Sequence, residues 1–368
     1  MRILMTADTV GGVWTYALQL SKSLAARDVI VELATGGAPL TDRQREAARA
    51  IKKLSVHESS FRLEWMEDPW QDVRAAGEWL LDLAAKIRPD LVHLNDYSQG
   101  ALAWPAPVLM VGHSCVASWH EAARGAAAGA EWDCYREHVA RGLRGADLVV
   151  APTRAMLESL KRFYGPLPNS EVIPNGRDGE MKNLEDKQPI ILTAGRLWDE
   201  AKNITLLAAA AKDIEWPVYV AGEATHPDGG VAVFKNLTAL GKLEPGAMKE
   251  WFGAASIYVH PARYEPFGLA PLEAALRGCA LVLADIPTLR EVWGEAAMFV
   301  APDQPAELAK VINEMIENSS MLRDFGKRAR HHALKYSASR MAGGYFSAYR
   351  RLSGLSEAAV NASCSVGA

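Results

Sequence analysis

Two glutamates, Glu265 and Glu273, flank a Phe-Gly turn in the run Arg263-Tyr264-Glu265-Pro266-Phe267-Gly268-Leu269-Ala270-Pro271-Leu272-Glu273. The residues after the turn have helical character, and Pro271 suits a first helical turn, where its missing N–H costs little. The amides of Phe267, Gly268 and Leu269 then sit at a helix N-terminus, where unpaired N–H groups favour an anion. Glu265 precedes the turn and Glu273 lies inside the helix, so the two address different parts of one extended ligand. Carboxylates accept from diols and amides donate to oxyanions. The combination suits a molecule with diphosphate oxygens at one place and hydroxyls at two others. A glutamate near a helix N-terminus is also ordinary dipole chemistry, but that accounts for one carboxylate and not for the loop and its position together.

Three further stretches carry charge or close backbone approach. In Thr193-Ala194-Gly195-Arg196-Leu197-Trp198-Asp199-Glu200-Ala201-Lys202-Asn203 a strand runs into a glycine, and Arg196 and Lys202 follow at the strand's C-terminal edge. That edge is where α/β folds bind ligands. Arginine offers a planar fork for phosphate oxygens and lysine a compact charge. The competing reading is a solvated loop in which Asp199 and Glu200 pair locally. In Thr6-Ala7-Asp8-Thr9-Val10-Gly11-Gly12-Val13 a strand passes through Gly11 and Gly12 into a helix. The pattern is not G-x-G-x-x-G, which disfavours a nicotinamide cofactor, and a plain strand-to-helix turn fits as well. His113, in Val111-Gly112-His113-Ser114-Cys115, stands just past another strand, facing an inter-domain crevice or serving structure alone.

These residues need strands and helices to hold them, and the chain supplies both in alternation. Arg2–Thr6, Val29–Thr35, Leu91–Leu94, Pro107–Val111 and Asp147–Ala151 read as strands, with helical patterns at Val13–Arg27, Gln71–Lys86 and Ala155–Phe163. Such alternation means right-handed βαβ crossovers and a parallel sheet. A turn-rich stretch at Tyr164–Asn169, the short run Glu171–Ile173, the segment Pro174-Asn175-Gly176-Arg177-Asp178-Gly179 and a charged run from Glu180 to Lys187 interrupt it. Alternation then restarts with Ile190–Thr193, Val218–Ala221, Ser256–Val259, Ala280–Leu283 and Met298–Val300. The expectation is two sheets, with a linker centred on residues 165–188. A final helix over Ala338–Leu355, carrying Tyr345, Phe346 and Tyr349, crosses back onto the first domain, and Ser356–Ala368 fray.

Bulk properties narrow the class. The chain has 368 residues, 49% apolar and 23% charged, enough for two domains without covalent staples. A net charge of -4 carries no basic surplus for nucleic acid. Cys115, Cys134, Cys279 and Cys364 are scattered without C-x-x-C, which reads as reduced thiols in a cytosol. No run approaches the ~20 apolar residues of a membrane span, so any membrane contact is peripheral. Arg45, Arg49 and Lys53 fall four apart and form a basic face if Asp42–Lys53 is helical, suited to an anionic membrane or simply solvated.

Taken in order, these motifs resemble the retaining family 4 glycosyltransferases of GT-B fold: an α/β protein of two Rossmann-like parallel-sheet domains facing a central cleft. The resemblance spans nearly the whole chain. It rests on the E-x7-E pattern of Glu265 and Glu273 within Tyr-Glu-Pro-Phe-Gly-Leu, on Gly195-Arg196 with Lys202, on Ile173-Pro174-Asn175-Gly176, and on His113. It implies residues 1–168 as the acceptor-binding domain, with the helix near 338–355 crossing back, and residues 169–337 as the donor-binding domain. It implies that Arg196 and Lys202, joined by the Gly11-Gly12 loop, neutralise the diphosphate. Glu265 sits beside the donor sugar, whose hydroxyls the Phe267, Gly268 and Leu269 amides hold, and His113 faces it near the 6-hydroxyl. Glu273 takes the ribose hydroxyls, and Glu223 marks the base pocket. In one departure, five residues separate Arg196 and Lys202 where many relatives have one fewer, and Asn203 stands where they have glycine.

The expected reaction is sugar transfer from a UDP- or GDP-sugar to a hydroxyl on a glycan, a lipid-linked acceptor or a small molecule, without a metal or cofactor. Epimerisation, phosphorolysis and non-catalytic nucleotide-sugar binding are the alternatives. Residues 57–70 and the group Trp119, His120 and Trp132 are candidates for an acceptor groove or for core anchors.

Overall fold

The computed structural model describes residues 1–178, 187–226 and 229–354. The first half runs β1 (Arg2–Asp8), α1 (Gly12–Ala25), β2 (Ile30–Gly36), α2 (Asp42–Arg49), β3 (Leu54–His57), α3 (Trp70–Ile87), β4 (Leu91–Leu94), β5 (Val108–Val111), α4 (Val116–Arg124), α5 (Asp133–Gly145), β6 (Leu148–Ala151), α6 (Arg154–Tyr164) and β7 (Ser170–Val172). Its strands form one parallel sheet of order β3-β2-β1-β4-β5-β6-β7. The second half runs β8 (Gln188–Ala194), α7 (Ile204–Ala210), β9 (Val218–Ala221), β10 (Thr238–Gly241), α8 (Pro245–Ala254), β11 (Ala255–His260), α9 (Leu269–Leu276), β12 (Ala280–Ala284), α10 (Pro287–Trp293), β13 (Met298–Val300), α11 (Pro305–Glu317), α12 (Ser319–Ala333) and α13 (Ala338–Ser353). Its parallel order is β10-β9-β8-β11-β12-β13.

The central strands are short apolar runs because helices cover both faces of each sheet; β4, β5, β6, β11 and β12 are buried throughout. Each sheet reverses its winding beside its first strand. β1 lies between β2 and β4, and β8 lies between β9 and β11. Loops leaving such a switch point diverge and open a crevice. Gly11 and Asn95 follow β1 and β4; Arg196 and the Glu265 loop follow β8 and β11.

The helix α13 does cross back. Tyr345 and Tyr349, four residues apart on one helical face, share a buried cluster with Tyr16, Leu20 and Leu24 of α1. Three details differ from the sequence reading. β7 pairs with β6, so the first sheet extends to Val172, past the boundary placed at 168. The strands β3 and β10 were not anticipated; both are four-residue edge strands, and β10 is largely exposed, so neither has an apolar run. The third concerns the basic face. α2 ends at Arg49, Arg45 is bound to Glu58 and Asp42, and Lys53 sits beyond the helix at φ 60°, paired with Asp28. The charged run at 180–186 and the tail at 356–368 lie outside the described residues. Among the described residues no helix is long and apolar enough to cross a membrane.

Candidate active site

The second half contributes a set of ionised side chains. Gly222, just after β9, packs so tightly on Gly195 that a Cβ there would overlap the Gly195 carbonyl oxygen. A Cβ at Gly195 would in turn touch the stem of Lys202. The stem of Lys202 thus runs alongside Gly195 towards the loop after β11. There its Nζ donates to Glu265 Oε2 at 2.8 Å. His260 Nε2 lies 3.1 Å from the same oxygen, and the Gly268 amide donates to Oε1 at 3.0 Å. Burial alone would raise the Glu265 carboxyl, but Lys202 and His260 outweigh it and hold the group well below the usual carboxylate range. Burial pulls His260 down.

Asn203 explains the departure at the lysine loop. It adopts φ 54°, a left-handed conformation that glycine and asparagine tolerate best. Its Nδ2 donates to the Pro261 and Pro302 carbonyls at 3.0 and 2.8 Å, so the side chain anchors the loop as glycine cannot. Upstream, Asp199 binds both halves of the molecule. Its Oδ2 accepts from Arg196 Nη2 at 2.8 Å, and its Oδ1 accepts from Trp119 Nε1 of α4 at 3.1 Å and from the Ala201 amide at 3.0 Å. Glu273, inside α9, accepts Arg177 Nε on Oε1 at 2.7 Å, with Arg177 Nη2 on the same oxygen.

The first half contributes neutral groups, from half-buried His113 and Asp96 to fully buried His93. His113 Nε2 lies 2.7 Å from Asn95 Oδ1. Burial lowers His113 to about 3 and His93 to about 3, so both rings are neutral. Asp8 accepts the Val10 and Gly11 amides on Oδ1 at 3.1 and 2.8 Å. Burial raises Asp8 and Glu64, and burial beside Glu64 pushes Asp96 up to about 8. Asp8, Phe61, Trp65, Trp79, Asn95 and Asp96 are among the residues that line a cavity at the β1/β4 edge.

Several bonds close the halves on one another. Tyr264 OH accepts from the Cys115 amide at 3.1 Å and lies 2.7 Å from Ser118 Oγ. Thr153 Oγ1 donates to the Pro266 carbonyl, and Glu291 accepts the Arg154 and Ala155 amides at the start of α6. These place the His113 loop against the Glu265 loop. A Cβ on Gly11 would sit 3.8 Å from Arg196 Nη1, so the glycine loop of one half abuts the arginine of the other.

Most of the sequence-derived residues therefore gather at one crevice, with qualifications. The Gly11 amide is held by Asp8, so the loop expected to face a diphosphate presents α1 from Gly12 onward. The Gly268 amide is held by Glu265, and the Phe267 side chain is core, packed edge-on against Tyr336. Leu269 opens α9. Glu223 lies at the rim, its carbonyl accepting from Leu197 N at 2.8 Å and its side chain facing Lys242. Trp119 is a strut to Asp199, His120 packs on Trp132, and Glu64 caps the Tyr97 and Ser98 amides. The sequence reading did not single out Arg177, His260 or Asn95. Each stands within two residues of an expected strand or motif, and that adjacency was the available signal.

Two family models match consecutive parts of the chain: Glycosyltransferase Family 4 over residues 10–180 and Glycosyl transferases group 1 over residues 177–332. A glycogen synthase of Mycobacterium tuberculosis is 26% identical over 373 residues, covering 90% of this chain and 89% of the relative. A D-inositol 3-phosphate glycosyltransferase of Nocardia farcinica is 25% identical, covering 92% and 84%. Among solved structures, sucrose-phosphate synthase from Thermosynechococcus elongatus superposes with a TM-score of 0.78 at 19% identity, covering 97% of this chain and 100% of that one. Anabaena HepE in complex with UDP and glucose gives 0.73 at 17%, covering 96% and 100%. The structural likenesses establish a shared two-sheet fold.

Proposed function

This chain belongs to the family 4 glycosyltransferases, and from that premise we propose a retaining transfer of a hexosyl group from a UDP- or GDP-sugar to a hydroxyl acceptor. The observation that carries the reading is the closure of the loop bearing the Lys202–Glu265 pair on the His113 loop, with Arg196 set against the Gly11 loop. Leaving-group charge builds on the diphosphate as the anomeric bond breaks. Fixed cations in a closed crevice stabilise that charge most. Arg196 and Lys202 face the diphosphate, and the start of α1 adds its dipole. Glu265, kept ionised by Lys202 and His260, sits beside the sugar and sets the direction of Lys202. Glu273 keeps Oε2 for a ribose hydroxyl while Arg177 holds Oε1. HepE in complex with UDP-glucose makes UDP-glucose the first donor to test.

In the proposed step the bond from the anomeric carbon to the phosphate oxygen breaks, and its electron pair stays on the leaving diphosphate. The acceptor oxygen bonds the same face of that carbon, and its proton passes to the leaving phosphate oxygen. The chain supplies the cations, so the proposal needs no metal; a chelator should leave the rate unchanged. The acceptor, a glycan end, lipid-linked sugar or small molecule, enters the cavity lined by Phe61, Trp65 and Trp79. We place the reaction in the cytoplasm, with at most peripheral membrane contact.

A thermal-shift series with UDP, GDP, ADP and TDP tests the donor. The true nucleotide at 100 times its dissociation constant adds about 2.7 kcal/mol of stability. Product NMR tests the stereochemistry. An inverted anomeric centre overturns the front-side step, and conversion of the donor sugar without any acceptor favours epimerisation instead.

A further inference from the structure

His113 is held by a chain of groups that runs from half-buried Asn95 through buried His93 to Tyr349 of α13. Asn95 Nδ2 donates to the Thr6 carbonyl at 2.6 Å, and the Asn95 amide donates to Thr6 Oγ1 at 2.9 Å. The reversed side-chain amide would set two oxygens against each other at that distance, so the orientation of Asn95 is fixed. Its Oδ1 then faces His113 Nε2 at 2.7 Å and His93 Nε2 at 3.3 Å. A carbonyl oxygen has two lone pairs and no proton, so each ring must carry its hydrogen on Nε2. His93 obeys the same constraint from its other side. Its Nδ1 lies 2.6 Å from Tyr349 OH of α13, which donates to it in that tautomer, while Tyr16 OH, 3.5 Å from Nε2, accepts. Tyr16 packs edge-on against His113 at 4.5 Å between centroids and fixes the ring plane.

We propose that Asn95 is a positioning residue that locks His113 as the neutral Nε2–H tautomer, with His93 and Tyr349 as the outer braces of the lock. His113 Nδ1 is then an obligate acceptor, and a hydroxyl of the bound sugar must donate to it. Its one N–H is spent on Asn95, so His113 donates nothing to the sugar and takes no part as an acid. The inference rests on the transferase reading for its consequence in turnover, but the tautomer itself does not depend on that reading. Burial keeps the ring neutral across the physiological range, so its state is set by hydrogen bonding rather than by pH.

The test uses the full-length protein labelled with ¹⁵N in its histidines, with the His113 and His93 signals assigned by their loss in His113→Gln and His93→Gln. Long-range proton–nitrogen correlation is expected to show a protonated Nε2 and a bare Nδ1 for both rings, unchanged from pH 8 to pH 5. A wild-type His113 that is protonated on Nδ1, doubly protonated or a tautomer mixture overturns the proposal, whatever the variants do. Asn95→Ala should turn His113 into a mixture and lower kcat/KM about tenfold, the worth of one hydrogen bond, with nucleotide affinity unchanged. Tyr349→Phe should release His93 first and cost less. A tautomer shift in Asn95→Ala with no change in turnover would keep the lock and remove its role in transfer. Loss of nucleotide binding by the wild type would count against the transferase reading instead.

Discussion

The two switch points share a topology and differ in electrostatics. On the second-half side oppositely charged side chains are paired, Arg196 with Asp199, Lys202 with Glu265 and Arg177 with Glu273, and His260 braces Glu265 from beside Lys202. On the first-half side withdrawal from water, complete for His93 and partial for His113 and Asp96, leaves the groups neutral: two histidines lowered to about 3 and an aspartate pushed up to about 8. The difference lies in what surrounds the carboxylates. Glu265 has a lysine within hydrogen-bond reach and stays charged, whereas Asp96 is withdrawn from water beside two further carboxyls, Glu64 and Asp8, and holds its proton. One fold thus sets a charged wall, suited to a diphosphate, against a neutral wall suited to hydroxyls.

That contrast can be broken at its charged side first. Lys202→Ala should lower kcat by about 10²–10³. It should also cost roughly 3–5 kcal/mol of stability, because Glu265 is left buried without its main partner. Turnover and urea denaturation together check it, and a variant with near-normal kcat would remove the charged wall from the mechanism. Arg177→Ala should raise the donor KM about tenfold, the worth of a charge-assisted bond that orients Glu273, with kcat little altered.

The neutral side is tested by pH. A carboxyl raised in the folded state contributes stability that is fully present below its unfolded value, 3.8, and is lost as pH rises towards about 8. Asp96→Asn removes that loss. Its stability relative to wild type should climb with pH across this interval, by at most about 1.4 kcal/mol per pH unit, in denaturation curves at pH 5, 6, 7 and 8. A flat difference would mean that Asp96 is ionised and the neutral wall is not neutral. The smallest effect is expected at the strut between the walls. Trp119→Phe removes one bond to Asp199 and should change kcat/KM by about five- to tenfold, without moving the nucleotide dissociation constant.

The residue pattern alone placed the main parts of this protein. Alternating apolar runs and amphipathic stretches dictate parallel sheets, because each run must be covered on both faces. The Tyr-Glu-Pro-Phe-Gly-Leu turn, Gly195-Arg196 and Lys202 are local in sequence and stand at strand ends, so they and the family were legible there. Tertiary structure decided which group each of them meets. Glu265 could have faced solvent; the pairing of β8 with β11 brings Lys202 and His260 to it instead. Asp199 looked like a local partner for a loop, yet it also ties to Trp119, eighty positions earlier. The protonation of Asp96 and the shared oxygen of Asn95 depend on burial and on neighbours brought in from other strands and from α13. Burial and partnership are properties of three-dimensional proximity, and a linear order of residues does not contain them.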